Sequence, residues 1–167
     1  MAKAKKKAAG GSSSSGQWRW LWLTFIVIVL DLGSKSMASY YLSSLWSYKV
    51  LPFFNLVLVH NYGSAFGFLA GQNGWQLWLF VGIAMVVSLA ILTYLWRGNG
   101  LHALTAGALS LILGGTLGNL YNRIVNGYVV DFLDFHLGSY HWPAFNIADS
   151  AICIGALLLI LSAFRKA

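Results

Sequence analysis

The chain carries four carboxylates and no glutamate: Asp31, Asp131, Asp134 and Asp149. A soluble protein spreads many acids over its surface, so a set this small is free for other work. Two aspartates brought together admit a definite chemistry. Like charges in close contact cannot both ionise, so one carboxyl keeps its proton. The ionised partner can then deprotonate a water, while the protonated one donates to a carbonyl oxygen or a leaving amine. Such a pair needs neither a metal nor a nucleophilic side chain.

Rival chemistries are poorly supplied. There is no HExxH, and without glutamate no zincin-type base. His136 and His141 lie in one connecting segment with no third ligand beside them, a weak pattern for zinc. No G-x-S-x-G elbow occurs. Ser110, inside an apolar run, reads as a helix-packing residue. The lone Cys153 has no partner for an intrachain disulfide and reads as a small buried hydrophobe.

The elements that must position these residues follow from composition. Of the 167 residues, 58% are hydrophobic and 9% charged, where soluble domains carry about 25% charged residues. Four apolar stretches predict membrane-spanning helices: 18–40, 75–96, 101–121 and 146–164. Each is about 20 residues long and at ~1.5 Å per residue crosses a ~30 Å hydrocarbon core. The first is a span and not a cleaved signal peptide, because Asp31 and Lys35 interrupt it and no small-residue cleavage site follows. The net charge of +7 is concentrated at the termini, which suits a membrane surface better than nucleic acid. Residues 1–17, "MAKAKKKAAGGSSSSGQ", read as a disordered basic cytoplasmic tail, and 18–167 as a single four-span domain.

Lys and Arg set the orientation. Lys3, Lys5, Lys6, Lys7, Arg19, Arg97, Arg165 and Lys166 flank one side of the spans, and Lys49 and Arg123 the other. This asymmetry places both termini in the cytoplasm and the connections 41–74 and 122–145 outside. The stretch "VLPFFNLVLVHN" in the first connection reads as one or two short strands near the membrane surface. Trp18, Trp20, Tyr40, Tyr41 and Trp96, at span ends, fit interfacial belts.

In this topology the polar residues approach one leaflet from several helices. Asp31 and Lys35 lie in the outer half of span one, Asn119 and Arg123 at the outer end of span three, and Asn146 and Asp149 at the start of span four. Asp131 follows span three. Ionisable groups at membrane depth are costly and mark functional sites. Each set also has a structural reading. Asp31 and Lys35 are spaced i, i+4 as a helical ion pair. Gly114 and Gly118 form a GxxxG packing face, beside a Gly115, Asn119, Arg123 stripe. Asn146 and Asp149 have the spacing of an N-cap and an acid at N3. Capping does not account for Asp131 at the same interface.

Four stretches in order, "DLGSK" (31–35), "HNYGSAFGFL" (60–69), "GGTLGNLYNRIVNGYVVDFLDF" (114–135) and "PAFNIADSAI" (143–152), resemble lipoprotein signal peptidase, the bacterial type II signal peptidase family of inner-membrane aspartic endopeptidases. The resemblance covers residues 18–164. It implies an α-helical membrane protein: four transmembrane helices with a small extracytoplasmic β-cradle and a short periplasmic helix, both of which the 41–74 loop can supply. It further implies cleavage of a prolipoprotein just before its diacylglyceryl-modified cysteine, without cofactor or metal, at a site near the periplasmic leaflet. Carried across residue by residue, the catalytic dyad falls on Asp131 and Asp149. Asp31, Lys35, Asn61, Asn119, Arg123 and Asn146 match the polar positions around it. Asn119 and Asn146 would orient the carboxyls, and Arg123 would meet substrate carbonyls or hold the local loop. Asp134 stays outside the set as a surface or interfacial residue. The implied partners are lipidated prolipoproteins and membrane lipid, not nucleic acid, with the chain acting as a monomer. A small ion-coupled transporter would want carboxylates near the midplane and internal repeats, and no repeat is visible. A membrane scaffold would tolerate loss of either aspartate.

The charge asymmetry makes the orientation testable. Reporter fusions within 41–74 and 122–145 should give the periplasmic signal, and a cytoplasmic signal near Lys49 would reverse the topology.

Overall fold

The computed structural model describes residues 17–63, 73–97 and 102–164. A 3₁₀ turn, Gln17–Trp20, leads into α1 (Leu21–Tyr41). Two strands follow, β1 (Tyr48–Leu51) and β2 (Phe54–Asn61), then α2 (Trp75–Arg97) and α3 (Ala103–Asn126). Strands β3 (Val129–Leu137) and β4 (Tyr140–His141) precede α4 (Ile147–Phe164). The four long helices are each apolar enough to cross a membrane. The protein is a multi-pass membrane protein with a small sheet at one end of its helices. The described part of 41–74 holds two strands and no helix; any short helix in that connection falls outside the described residues.

Burial here is the inverse of a soluble bundle. The buried stripe of α1 is Thr24, Val27, Asp31, Lys35 and Ala38, spaced by three and four, while Phe25, Val29 and Leu30 face outward. Lipid is as apolar as leucine, so helices gain little by hiding leucines from it; close approach and polar contacts hold them together. Helix α3 is the hub, packed on by α1, α2 and α4. Its glycines set the spacing. A Cβ at Gly114 would meet Val27 and Thr24 of α1, at Gly118 the Asp31 carboxylate, and at Gly115 the Ala148 carbonyl of α4. Gly155 of α4 lies in turn against the Ala108 carbonyl. Further from the sheet, the Thr24 hydroxyl donates to the Ser110 carbonyl (3.0 Å), and the Thr105 and Ser162 hydroxyls share a 2.7 Å hydrogen bond. Among the predicted belt aromatics, Trp18, Tyr40, Tyr41 and Trp96 are exposed, but Trp20 turns inward and covers Gly107. Cys153 is exposed on α4, not buried, because an apolar residue on a span has lipid as a favourable partner.

The third span runs five residues past its expected end, carrying Asn122 and Arg123 within the helix. It stops at Gly127, whose φ of 80° suits a residue without a Cβ and whose amide donates to the Arg123 carbonyl. The chain reverses there into β3, a strand the sequence reading had not assigned. The Asn122 side-chain oxygen accepts from Val130 N–H and ties the strand to the helix. The sheet is antiparallel throughout, in the order β1-β2-β3-β4. Ala38 of α1 and Leu42 just after it form a small core with Val130 and Phe132, so one face of the sheet rests on the end of the bundle.

The register contains one device that matters for the site. Leu56 pairs with Leu133, but Val59 pairs with Asp131, so β2 carries one extra residue between those rungs. Side chains alternate with period two, and such a bulge exchanges the faces beyond it. Asn55 consequently shares a face with Asp134, and Asn61 shares the opposite face with Asp131.

Gly115→Ala should therefore lower thermal stability by about 1–3 kcal/mol, since the α4 backbone cannot give way like a flexible side chain. Gly82→Ala, with nothing within 4 Å of the added carbon, should be neutral or slightly stabilising. Equal unfolding midpoints for the two variants in detergent would mean that α3 and α4 are not in close contact.

Candidate active site

The site is assembled on the first turn of α4. Asn146 is the residue before the helix, and its side-chain oxygen accepts from Asp149 N–H at 2.9 Å. Asp149 reaches back through Oδ2 to Asn146 N–H at 3.2 Å. This is a reciprocal capping box with aspartate at N3. The cap predicted from spacing is present, and it leaves functional atoms over. Asn146 Nδ2 donates to Asp131 Oδ1 at 2.6 Å, so one side chain both caps the helix and holds a carboxylate on β3. Asp149 Oδ1 accepts from Asn119 Nδ2 at 2.8 Å.

A buried relay from α1 orients Asn119. Lys35 Nζ donates to Asp31 Oδ2 and to Asn119 Oδ1, both at 2.7 Å. Asp31 and Lys35 are 0% and 2% exposed. An ammonium can only donate, so the Asn119 oxygen must face Lys35 and its NH₂ must face Asp149. Asp31 Oδ1 accepts from Ala148 N–H at 2.9 Å, placing a carboxylate at the α4 N-terminus where the helix dipole favours it. The i, i+4 pair of α1 is structural in its own geometry, and through Asn119 it bears on the site.

Asp131 is 2% exposed. Its Oδ2 accepts from Asn61 Nδ2 at 3.0 Å, and Asn61 is fixed in that sense because its oxygen accepts from Gly63 N–H. Burial, followed by the negative charge of Asp149, pushes the Asp131 carboxyl up to about 6, against the hydrogen bonds from Asn61 and Asn146 and the charge of Lys35. Arg123, in the last turn of α3, donates from Nη2 to the Gly63 carbonyl at 3.0 Å and stacks over Phe80 of α2 at 5.1 Å. It holds the segment after β2, one of the two roles expected of it. Asp131, Asp149, Asn61, Asn119 and Arg123 all line one cavity of about 570 Å³. Phe80, Ile152 and Cys153 form its apolar wall between α2 and α4.

All eight polar residues singled out in the sequence thus meet at one end of the bundle. Asp134, set aside as a surface or interfacial residue, is instead 5% exposed and lies on the other face of the sheet. Burial alone would raise its carboxyl, but hydrogen bonds from Asn55 Nδ2 (3.0 Å) and His141 Nδ1 (2.9 Å) hold it below the usual range. The sequence reading missed Asn122 and Phe80. Asn122 stands three residues after Asn119, a spacing that signals a shared helix face; nothing local marks Phe80.

Comparison with known proteins places this geometry in context. The family model described as Signal peptidase (SPase) II matches residues 23–165. A lipoprotein signal peptidase of Alteromonas mediterranea is 53% identical over 137 residues, covering 82% of this chain and 75% of its own. One from Vibrio vulnificus is 51% identical over 140 residues, covering 81% and 82%. A bacterial membrane enzyme solved by the in meso method at 2.3 Å superposes with a TM-score of 0.76 at 28% identity, covering 89% of each chain.

The raised Asp131 carboxyl has a spectroscopic consequence. A protonated carboxyl C=O band should titrate near pH 6 and disappear in Asp131→Asn. In Asp149→Asn, which removes the neighbouring charge, its midpoint should move down toward 3.8. The linkage has the matching sign. The folded state binds the proton more tightly than the unfolded chain, so this group's contribution to stability is largest below about pH 4 and is lost as pH rises through about 6. An infrared titration in which the Asp149→Asn midpoint stays put would show that the two carboxyls do not interact.

Proposed function

The chain belongs to the signal peptidase II family, and from that premise we propose that it removes signal peptides from diacylglyceryl-modified prolipoproteins in the bacterial inner membrane. It cleaves on the N-terminal side of the lipidated cysteine, with Asp131 and Asp149 activating water. Both termini are cytoplasmic in this reading and the site faces the periplasmic leaflet. The observation that carries it is the pair of aspartates on one cavity, each held by a separate asparagine amide and each acting on the other's charge.

The division of labour follows from the surroundings. Asp149 stands at a helix N-terminus and accepts from a backbone amide and from Asn119, which orient its carboxyl toward the cavity. Asp131 is buried beside the Asp149 charge and takes up the first proton. In the free enzyme near neutral pH much of Asp131 has lost its proton. A lipidated peptide covering the cavity expels water and strengthens both burial and repulsion, which drives a proton onto Asp131. Asp149 then removes a proton from the attacking water, and Asp131 donates to the scissile carbonyl oxygen. Collapse of the tetrahedral intermediate needs a proton on the leaving amine, which Asp149 returns, while Asp131 takes back the proton it gave to the carbonyl oxygen as C=O re-forms. No covalent enzyme intermediate is required.

The cavity wall fits a substrate whose reacting bond is polar and whose anchor is apolar. Helices α2 and α4 both pack on α3 but make no comparable packing with each other. Phe80, Ile152 and Cys153 border the gap between them. Acyl chains can stay in lipid along that gap while the peptide reaches the aspartates.

Asp131→Asn and Asp149→Asn should each lower kcat on a lipidated peptide by about 10²–10⁴-fold or more. The double variant should be hardly worse than either, because the two act as a unit. Both should fold, since asparagine is nearly isosteric and caps helices well. A role for Asp149 in capping alone gives the opposite result, and robust turnover by Asp149→Asn would exclude the two-aspartate mechanism.

A further inference from the structure

The far end of the sheet takes no part in the site. Strand β3 leaves α3 at Val129 and crosses the end of the bundle. Val130 and Phe132 rest on Ala38 in the last turn of α1 and on Leu42 just after it, and Leu133 bridges to Phe145 just before α4. Beyond that support the strand continues to Leu137, and at ~3.3 Å per residue the four further residues extend about 13 Å past it. Strands β1 and β2 meet at the same end, where His136 N–H donates to the Phe53 carbonyl at 3.0 Å. Both turns, at Pro52–Phe53 and at Gly138–Ser139, are therefore carried side by side on one overhang.

Besides Asp134 and His136, the overhang carries exposed apolar side chains at its tip, where a water-exposed turn is normally polar. Leu137 is 83% exposed and Tyr140 70%, and Leu51, Phe53 and Trp142 are exposed beside them. They border a recess of about 220 Å³ with no Lys, Arg, Asp or Glu in its lining. The position of the overhang says what covers it. The sheet is pressed against the last turn of α1, next to the exposed Tyr40 and Tyr41, so it sits at the level where a span leaves the hydrocarbon. Strand β3 leaves α3 and packs on α1 at that end of the bundle, so its tip lies near the level of those tyrosines. Leucine and phenylalanine with tryptophan and tyrosine, beside His136 and without Lys, Arg, Asp or Glu in the recess, is the composition of an interfacial anchor.

We propose that the paired turns are a membrane-interface anchor, seated in the headgroup–acyl boundary of the leaflet at the sheet end. The anchor fixes the height of β3, and with it Asp131, relative to the acyl chains. The proposal rests on the four spans and not on the peptidase reading, so it stands or falls separately from it.

The test uses the full chain in phosphatidylethanolamine–phosphatidylglycerol nanodiscs. Nitroxides are placed by Leu137→Cys and, separately, Phe53→Cys in a Cys153→Ser background, with Leu157→Cys on α4 as the lipid-exposed reference. Power saturation should show both tip labels more accessible to oxygen than to a water-soluble nickel chelate, in the same sense as Leu157. Tip labels that favour the chelate would overturn the anchor. So would spin–spin broadening between tip labels of two copies, which would make a second protomer the occupant.

Discussion

Among the described residues Lys35 is the one buried ammonium, and its contacts tie three helices to one geometry. A charge at this depth is costly unless it is paired and fully hydrogen-bonded. Its partners answer that requirement from different elements: Asp31 on the same helix and Asn119 on α3, with Asp31 in turn accepting an amide from α4. Removing Lys35 would leave the buried Asp31 carboxylate without its countercharge and take one of two donors from Asn119 Oδ1. The charge thus constrains rotation of Asn119, the close approach of Gly118 to α1, and the seating of the α4 N-terminus. Each of these feeds one side of the site.

The rest of the fold solves a supply problem. Two carboxylates come together from a strand and a helix, Asp131 on β3 and Asp149 on α4. Helix α3 provides the common support, with one glycine face toward α1 and another toward α4. The bulge in β2 provides the phase, setting Asn55 toward Asp134 and Asn61 toward Asp131. The sheet therefore has a site face and a second polar face, which the Asp134, Asn55 and His141 set occupies.

Much of this was legible in the sequence, for reasons that differ by element. Spans announce themselves by length and hydropathy, and the observed helices fall on the four predicted stretches. The site residues could be gathered because charged and amide side chains are so rare in spans that their positions carry information. Burial was harder to read. Cys153 and Trp20 were misplaced because in lipid an apolar side chain gains nothing by facing inward, so the inward face must be found from small and polar residues. Strand β3 was missed although "VVDFLDFHL" has several strand-forming residues. Asp131 and Asp134 interrupt its apolar pattern, and both accept from asparagines on β2 that are far away in sequence. A one-residue bulge leaves no local trace at all.

The capping box on α4 couples assembly to chain order. A chain whose first three spans have entered the bilayer already contains Asp131, Asn61, Asn119 and the Asp31–Lys35 pair. It lacks the amide of Asn146 that holds Asp131 Oδ1, and it lacks Asp149 altogether. Both arrive together, in the turn that starts the final helix. Docking of that turn against Gly115 and Asp31 is the same event as completion of the dyad. On the two-aspartate reading proposed above, a chain without its last helix holds half of the site, and the two halves meet only when that helix docks.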